Sequence, residues 1–188
     1  MAADPLPEGS YCAIAPGHKW HGPYHDTEYG FPVSDDRVLF ERLVLEINQA
    51  GLSWVLMLKR REGFRAAFLD YEIDRIAAFG PDDEARLRED ARIIRNRLKI
   101  GAVIHNARVV QALAREHGSF VAWLDEQHPM DLPSWTKLMR KTFKFMGPEV
   151  VNEFLMSTGY LPGAHRQDCP VFTEIAALNP PWMAAGNG

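Results

Sequence analysis

Apolar residues along this chain recur at intervals of three and four rather than two, the spacing of helices with one buried face. Residues 36–50 carry Leu39, Leu43 and Ala50 on one stripe. Ser34, Asp35 and Asp36 stand before it as a cap and an acidic first turn. Residues 53–69 form a second amphipathic stretch, with Trp54, Leu58, Phe64 and Phe68 facing one way. Pro81, followed by Asp82, Asp83 and Glu84, opens another helix whose pattern runs through Ile94. The longest helix is predicted over 97–117, with Ile100, Val103, Ile104, Val110 and Leu113 as core and Gly118 as its stop. A shorter helix runs from Ser119 to about Gln127, then a proline-punctuated loop. Two more are expected at 134–144 and 149–158, around Phe145-Met146-Gly147-Pro148. No segment alternates with period two, so the predicted class is all-α.

Composition narrows this further. With 188 residues, 46% of them hydrophobic and 24% charged, the chain reads as one domain, 1–188, with a core of its own. No apolar run approaches the ~18–20 residues of a membrane span, and the N-terminal stretch lacks the basic and apolar regions of a secretory signal. Two cysteines make no disulfide framework, so a reducing, cytoplasmic setting is expected. The net charge of −4 argues against holding nucleic acid by bulk electrostatics and leaves only local patches for that purpose.

Three groups of residues carry candidate chemistry. Glu46 falls on the apolar stripe of 36–50, where a carboxylate must find a partner or hold its proton more tightly. A core Glu satisfied by an arginine or a backbone donor fits that spacing as well. Beside it, Gly51-Leu52 makes an elbow between two helices, and Trp20, Tyr24 and Tyr29 cluster upstream. Aromatic walls around one buried acceptor suit a flat, hydrogen-bonding ligand such as a nucleobase. An apolar residue at the tip of a turn is the kind of wedge that enters a base stack.

The second group is Cys12, His25, His165 and Cys169, which match a closed tetrahedral zinc site. Four ligands leave no open position, so such an ion would be structural and would tie the proline-rich ends together. Buried free thiols, or a Cys12–Cys169 disulfide, remain alternatives on spacing alone. The third group is Lys137, Arg140, Lys141 and Lys144, with no acid between Ser134 and Pro148. Cations ahead of a glycine turn and a new helix suit a phosphate grip, or a solvated helix face. Lys59-Arg60-Arg61 and the Arg92, Arg95, Arg97, Lys99 series are similar, weaker clusters.

Together these segments resemble the 3-methyladenine DNA glycosylase I family. The resemblance is carried by Tyr24-His25-Asp26-Thr27-Glu28-Tyr29-Gly30, by Leu45-Glu46 through Gln49-Ala50-Gly51-Leu52-Ser53-Trp54, and by Lys59-Arg60-Arg61-Glu62. Ile93-Ile94-Arg95-Asn96, Phe143-Lys144-Phe145-Met146-Gly147-Pro148 and the His165 to Cys169 spacing extend it over about residues 11–170. It implies an all-helical helix-hairpin-helix glycosylase fold, with the hairpin at about 134–158 and a zinc snap joining Cys12, His25, His165 and Cys169. It implies a monofunctional enzyme, without a Schiff-base lysine, that flips 3-methyladenine out of alkylated double-stranded DNA. Hydrolysis of the N-glycosidic bond would release the free base and leave an abasic site. Glu46, Tyr24 and Trp54 match the base pocket, with Tyr29 beside them. Gly51 and Leu52 match the turn that plugs the emptied stack, and Lys141, Lys144 and Gly147 lie in the phosphate-gripping motif.

Some positions depart from the family pattern. Ile14 stands where a tryptophan is usual, Tyr29 replaces the second aromatic's tryptophan, and Pro162-Gly163-Ala164 replaces Val-Asn-Asp. Asp168 lies where related enzymes place a catalytic aspartate after the hairpin glycine, but between two expected zinc ligands. A monomer with one structural zinc and no membrane association is expected. The alternatives are a relative that binds DNA or a nucleobase without turnover, and a zinc-stabilised module that binds protein.

Overall fold

The structure is a computed structural model and describes residues 9–184. Residues 1–8 and 185–188, the two ends of the expected 1–188 unit, lie outside the described residues. In chain order the helices are α1 (Tyr11–Ile14), α2 (His21–Thr27), α3 (Asp36–Gln49), α4 (Trp54–Ala67), α5 (Ile73–Ala77) and α6 (Pro81–Glu89). They continue as α7 (Arg97–His117), α8 (Phe120–Gln127), α9 (Leu132–Thr142), α10 (Pro148–Ser157), α11 (Pro170–Ala177) and α12 (Pro181–Ala184). There is no strand among the described residues, as the absence of period-two alternation predicts. None of these helices is long and apolar enough to cross a membrane.

Side-chain oxygens start α3, α7, α8 and α9. Asp35 accepts from the backbone N–H groups of Arg37 and Val38, Asn96 from Leu98 and Lys99, Ser119 from Ala122, and Asp131 from Ser134. Each satisfies donors that the first helical turn leaves unpaired. Asp36 serves a different helix: its carboxylate accepts from Phe120 N at 2.8 Å and Val121 N at 2.9 Å, pinning the start of α8 to the start of α3.

Helix α3 is the axis of the molecule, packed by α4, α7, α8 and α10. Every residue from Leu39 to Asn48 is buried, polar ones included. The stripe drawn from sequence is therefore too narrow, and Ala50, placed in the core by spacing, lies exposed just past the end of the helix. Burial of α3 brings Glu41 and Arg42 into an ion-pair network. Arg61 reaches Glu28 at 2.6 and 2.8 Å and Glu41 at 2.8 and 3.1 Å, while Arg42 meets Glu28 at 2.5 Å. Burial pushes the Glu28 carboxyl up, but hydrogen bonds and charge from Arg61 and Arg42 hold it below the usual range.

The helix that begins at Pro81 ends at Glu89, short of Ile94. Asp90 leaves the helical region, accepts from Arg92 N at 2.9 Å and pairs with the Arg92 guanidinium, a local bonding pattern that competes with the helix. Arg60 then donates to the carbonyls of Ala91 and Ile93, at 2.7 and 3.2 Å. The basic clusters at 59–61 and 92–99 thus include residues that hold the fold together. Helices α1, α2, α5 and α12 escape the sequence pattern because four to seven residues carry too few periods to register, and α11 is likewise absent from it.

Candidate functional site

The end of α3, the start of α4, α2 and the first turns of α10 enclose a cavity of about 640 Å3. Its lining includes Tyr11, Tyr24, Tyr29, Glu46, Trp54 and Glu153. Tyr24 and Trp54 have ring centres 5.1 Å apart, and Tyr11 meets Tyr29 edge-on, also at 5.1 Å. The predicted aromatic walls around Glu46 are therefore assembled, from a partly different set. Trp20 packs against this cluster without lining the cavity, and the missed residues Tyr11 and His21 take that place. Tyr11 Oη lies 3.1 Å from His21 Nδ1, which joins the two into one wall.

Glu46 is only 4% exposed, and its carboxylate makes no hydrogen bond among the described residues. The reading of Glu46 as a satisfied core acid is thereby corrected: Arg42, the arginine nearest in sequence, gives only its Nη2 to Glu28 and lies over the Tyr24 ring at 4.7 Å, with Nε and Nη1 buried without partners among the described residues and none of its nitrogens bonded to Glu46. Burial, with repulsion from Glu153, pushes the Glu46 carboxyl up to about 8, against the opposing pull of Arg42. Tyr24 Oη and Trp54 Nε1 are also buried without partners among the described residues. Buried polar groups left unpaired cost stability unless something else satisfies them, and here they border an open cavity.

The elbow beside the cavity is real. Gly51 takes φ +82, a left-handed conformation that favours glycine, and is exposed, while Leu52 is half-buried. Two side chains hold the turn: Gln49 Nε2 donates to Leu52 O at 2.9 Å, and Lys99 Nζ donates to Asn48 O at 2.8 Å and Ala50 O at 2.7 Å. Lys99 is thus no part of a solvated patch. An ammonium on the last carbonyls of α3 complements the negative end of that helix.

Helices α9 and α10 form a packed pair joined by a turn at 143–147. Lys141, Lys144 and Gly147 cluster at its turn, with both lysines exposed. Phe145 has φ +63, and Gly147 precedes the N-terminus of α10 with an ordinary φ of −71. A side chain at Gly147 would meet nothing within 4 Å, so the protein's own packing does not require glycine there. Asn106, fully buried on α7, locks the turn by donating to Lys144 O at 3.1 Å and accepting from Lys144 N at 2.9 Å. Sequence reasoning missed Asn106, although it sits three residues after Val103 on the apolar stripe of α7, the same signal that singles out Glu46.

A second constellation stands apart from that turn. One donor atom each from Cys12, His25, His165 and Cys169 lies within 4.8 Å of the others, so the group could hold a metal ion. His165 Nδ1 is 3.6 Å from both sulfurs, and His25 Nε2 is 3.8 Å from Cys169 Sγ. The outer ring nitrogens are engaged: His25 Nδ1 with Asp26 at 2.7 Å, and His165 Nε2 with the Tyr29 carbonyl at 2.6 Å. Such outer contacts fix the tautomer that turns a lone pair inward. Both cysteines are free, so the disulfide alternative is set aside. Asp168 pairs with Arg166 on the surface and does not line the cavity of Glu46. Among the departures noted in the sequence, Ile14, Pro162, Gly163 and Ala164 do not line it either; Tyr29 does.

The all-helical scaffold thus presents a buried carboxylate between aromatic faces, beside a glycine-leucine turn. Residues 16–133 match the methyladenine glycosylase family model, and the chain belongs to that family. It is 36% identical over 155 residues to DNA-3-methyladenine glycosylase 1 of Escherichia coli (strain K12), covering 72% of this chain and 83% of that one. It is 34% identical over 170 residues to DNA-3-methyladenine glycosylase of Haemophilus influenzae, covering 80% and 91%. A solved structure of 3-methyladenine DNA glycosylase I from Staphylococcus aureus, which concerns 3-methyladenine recognition, superposes with a TM-score of 0.75 at 30% identity. That likeness covers 86% of this chain and 95% of the other.

Proposed function

We propose that the chain is a monofunctional DNA repair glycosylase that hydrolyses the N-glycosidic bond of 3-methyladenine in alkylated duplex DNA. The observation that carries this is Glu46, buried, unpartnered among the described residues and facing an aromatic cavity that opens beside Gly51-Leu52. Alkylation at N3 puts a positive charge on the purine and makes it a good leaving group, so the protein's task is chiefly selection and positioning. A damaged base unstacks at low cost, and the faces of Tyr24, Tyr29 and Trp54 attract its cationic ring. Glu46 accepts from the exocyclic amine and stabilises the cation. Guanine, with a carbonyl at that position, is repelled.

With its carboxyl pushed up to about 8, Glu46 favours its protonated form at neutral pH. Entry of a cationic base favours the carboxylate, so binding releases a proton and acceptor chemistry is created by the substrate itself. Glu46 thereby acts as pocket acceptor first and as a base for water second. Leu52, held by Gln49 and Lys99, fills the gap left by the extruded nucleotide. The α9–α10 pair acts as a helix-hairpin-helix: Lys141 and Lys144 meet phosphates, and the space at Gly147 lets a phosphate approach the backbone N–H groups of α10.

The cysteine–histidine cluster is a structural zinc site. A tetrahedral ion about 2.3 Å from sulfur and about 2.05 Å from nitrogen separates the two donors by about 3.6 Å. Three of the four S···N distances, at 3.6–3.8 Å, support that reading. The ion would join α1, α2 and the start of α11 into one body with the rest, in keeping with a single domain over 1–188 that works as a monomer in the cytoplasm.

The test is release of 3-methyladenine from methylated duplex DNA by the purified protein, with spontaneous depurination as the blank. Release above the blank is the expected result. A folded, zinc-loaded protein that binds the DNA but releases no base would instead be the binding-only relative, and one that binds no DNA would be neither.

A further inference from the structure

Two further carboxylates line the cavity, exposed Glu149 and half-buried Glu153, and no motif or apolar stripe marks out the latter. Glu153, on α10, faces no cation there: neither its carboxylate nor that of Glu46 pairs with an arginine or lysine among the described residues. Its position is fixed by Tyr29, whose Oη donates to Glu153 Oε2 at 3.1 Å. Oε1 makes no hydrogen bond among the described residues. Tyr29 is also the one departure from the family's tryptophan that faces the cavity, and a phenol brings a donor that an indole would not place in the same way.

A tyrosine–glutamate contact serving only the fold would not need a half-buried acid beside another, unpartnered one. Two carboxylates sharing a low-polarity cavity oppose each other's ionisation. Burial and the neighbouring Glu149 hold the Glu153 proton on more tightly, while the Tyr29 hydrogen bond works against them. A positive charge placed between Glu46 and Glu153 removes this conflict, and a neutral base does not.

We propose that Glu153, held by Tyr29, is a specificity-determining residue that joins Glu46 in selecting cationic N-alkylpurines over neutral bases. The inference rests on the reading of this cavity as the base pocket. It also bears on turnover. When the glycosidic bond breaks, its electron pair stays on the base, which becomes neutral, and the positive charge passes to the sugar until water adds there and a proton is lost. The released base then lacks the charge that both carboxylates attract, so substrate is held more tightly than product.

The experiment is a binding titration of the full chain with two probes, neutral 3-methyladenine and 3,9-dimethyladeninium, whose charge is fixed. The wild-type chain is expected to prefer the cation. Glu153→Gln should lose about tenfold in affinity for the cation while changing less than about twofold for the neutral base. Tyr29→Phe, which frees the carboxylate without removing it, should lose selectivity in the same direction by a smaller factor, and it serves as the test should Glu153→Gln fail to fold. Equal losses on both probes, or no loss on the cation, overturn the inference while leaving the pocket reading intact. Binding of neither probe by a folded wild-type chain refutes the pocket reading, and the inference falls with it.

Discussion

Asn106 and the backbone of Lys144 exchange two hydrogen bonds, so a fully buried side chain on α7 sets the geometry of the α9–α10 turn. This links the long helix that walls the core to the segment proposed to grip phosphate. Asn106→Ala removes both bonds and leaves the Lys144 amide and carbonyl to find new partners. A loss of about 2–4 kcal/mol in denaturant unfolding is expected, together with weaker duplex binding. Unchanged stability would mean that the turn is held by something else.

Glu46 makes stability depend on pH in a particular direction. Its folded-state carboxyl titrates at about 8, above the unfolded value, so the folded chain binds the extra proton. The associated stability is fully present below the unfolded value of about 4.5 and is lost as pH rises toward about 8, with a limiting slope of about 1.4 kcal/mol per pH unit. Glu153 shifts in the same direction and adds to the trend. Glu46→Gln should match wild type near pH 5 and exceed it in stability near pH 9, while losing base release. Parallel stability profiles for the two proteins would sink this account.

Much of this arrangement can be read from sequence, for definable reasons. Glu46 stands out because a carboxylate interrupts an apolar helical stripe, and the zinc-type ligands stand out because their residue types are few and chemically distinctive. Glu153 does not, since Asn152-Glu153 in the middle of a ten-residue helix looks like any solvated face until the segment after α2 brings Tyr29 against it. Lys99 looks like one of a run of cations; only the fold shows its ammonium on the carbonyls of Asn48 and Ala50. Arg61 misleads in the same way, since the full burial of α3 that recruits it into an ion-pair network is a property of packing, not of spacing. What sequence leaves out is which polar residues are claimed by partners distant along the chain.

The cysteine–histidine cluster predicts about one equivalent of tightly held zinc per chain. With the outer nitrogens of His25 and His165 already engaged, a bound ion would add stability chiefly by fastening α1, α2 and α11 together. Removal by a strong chelator, or Cys169→Ser, should lower Tm by about 10 °C. Elemental analysis finding no metal, with both thiols freely titrated, would defeat the zinc assignment.

Charge at the hairpin should appear as salt dependence. If Lys141 and Lys144 each neutralise one phosphate, their reversal to glutamate lowers the slope of log affinity against log salt by about 0.9 for each phosphate no longer neutralised. Binding of undamaged duplex should fall along with that of methylated duplex, because phosphate contacts carry no information about the base. Retention of the wild-type slope would assign these lysines to a merely solvated face.

Lys99 offers the sharpest separation of positioning from chemistry. It touches neither the cavity nor the proposed path of the DNA backbone, yet its two hydrogen bonds fix the turn that carries Leu52. Lys99→Met keeps most of the aliphatic stem and removes the charge that caps α3, at an expected cost of about 1.5–3 kcal/mol in stability. If the turn matters as a wedge, base release from duplex DNA should fall much further than affinity for free 3-methyladenine, because the pocket survives while extrusion of the nucleotide is no longer supported. Lys99→Arg, which can still donate to both carbonyls, should recover part of the activity. Equal losses on duplex and free base would instead place the effect of Lys99 in the pocket itself.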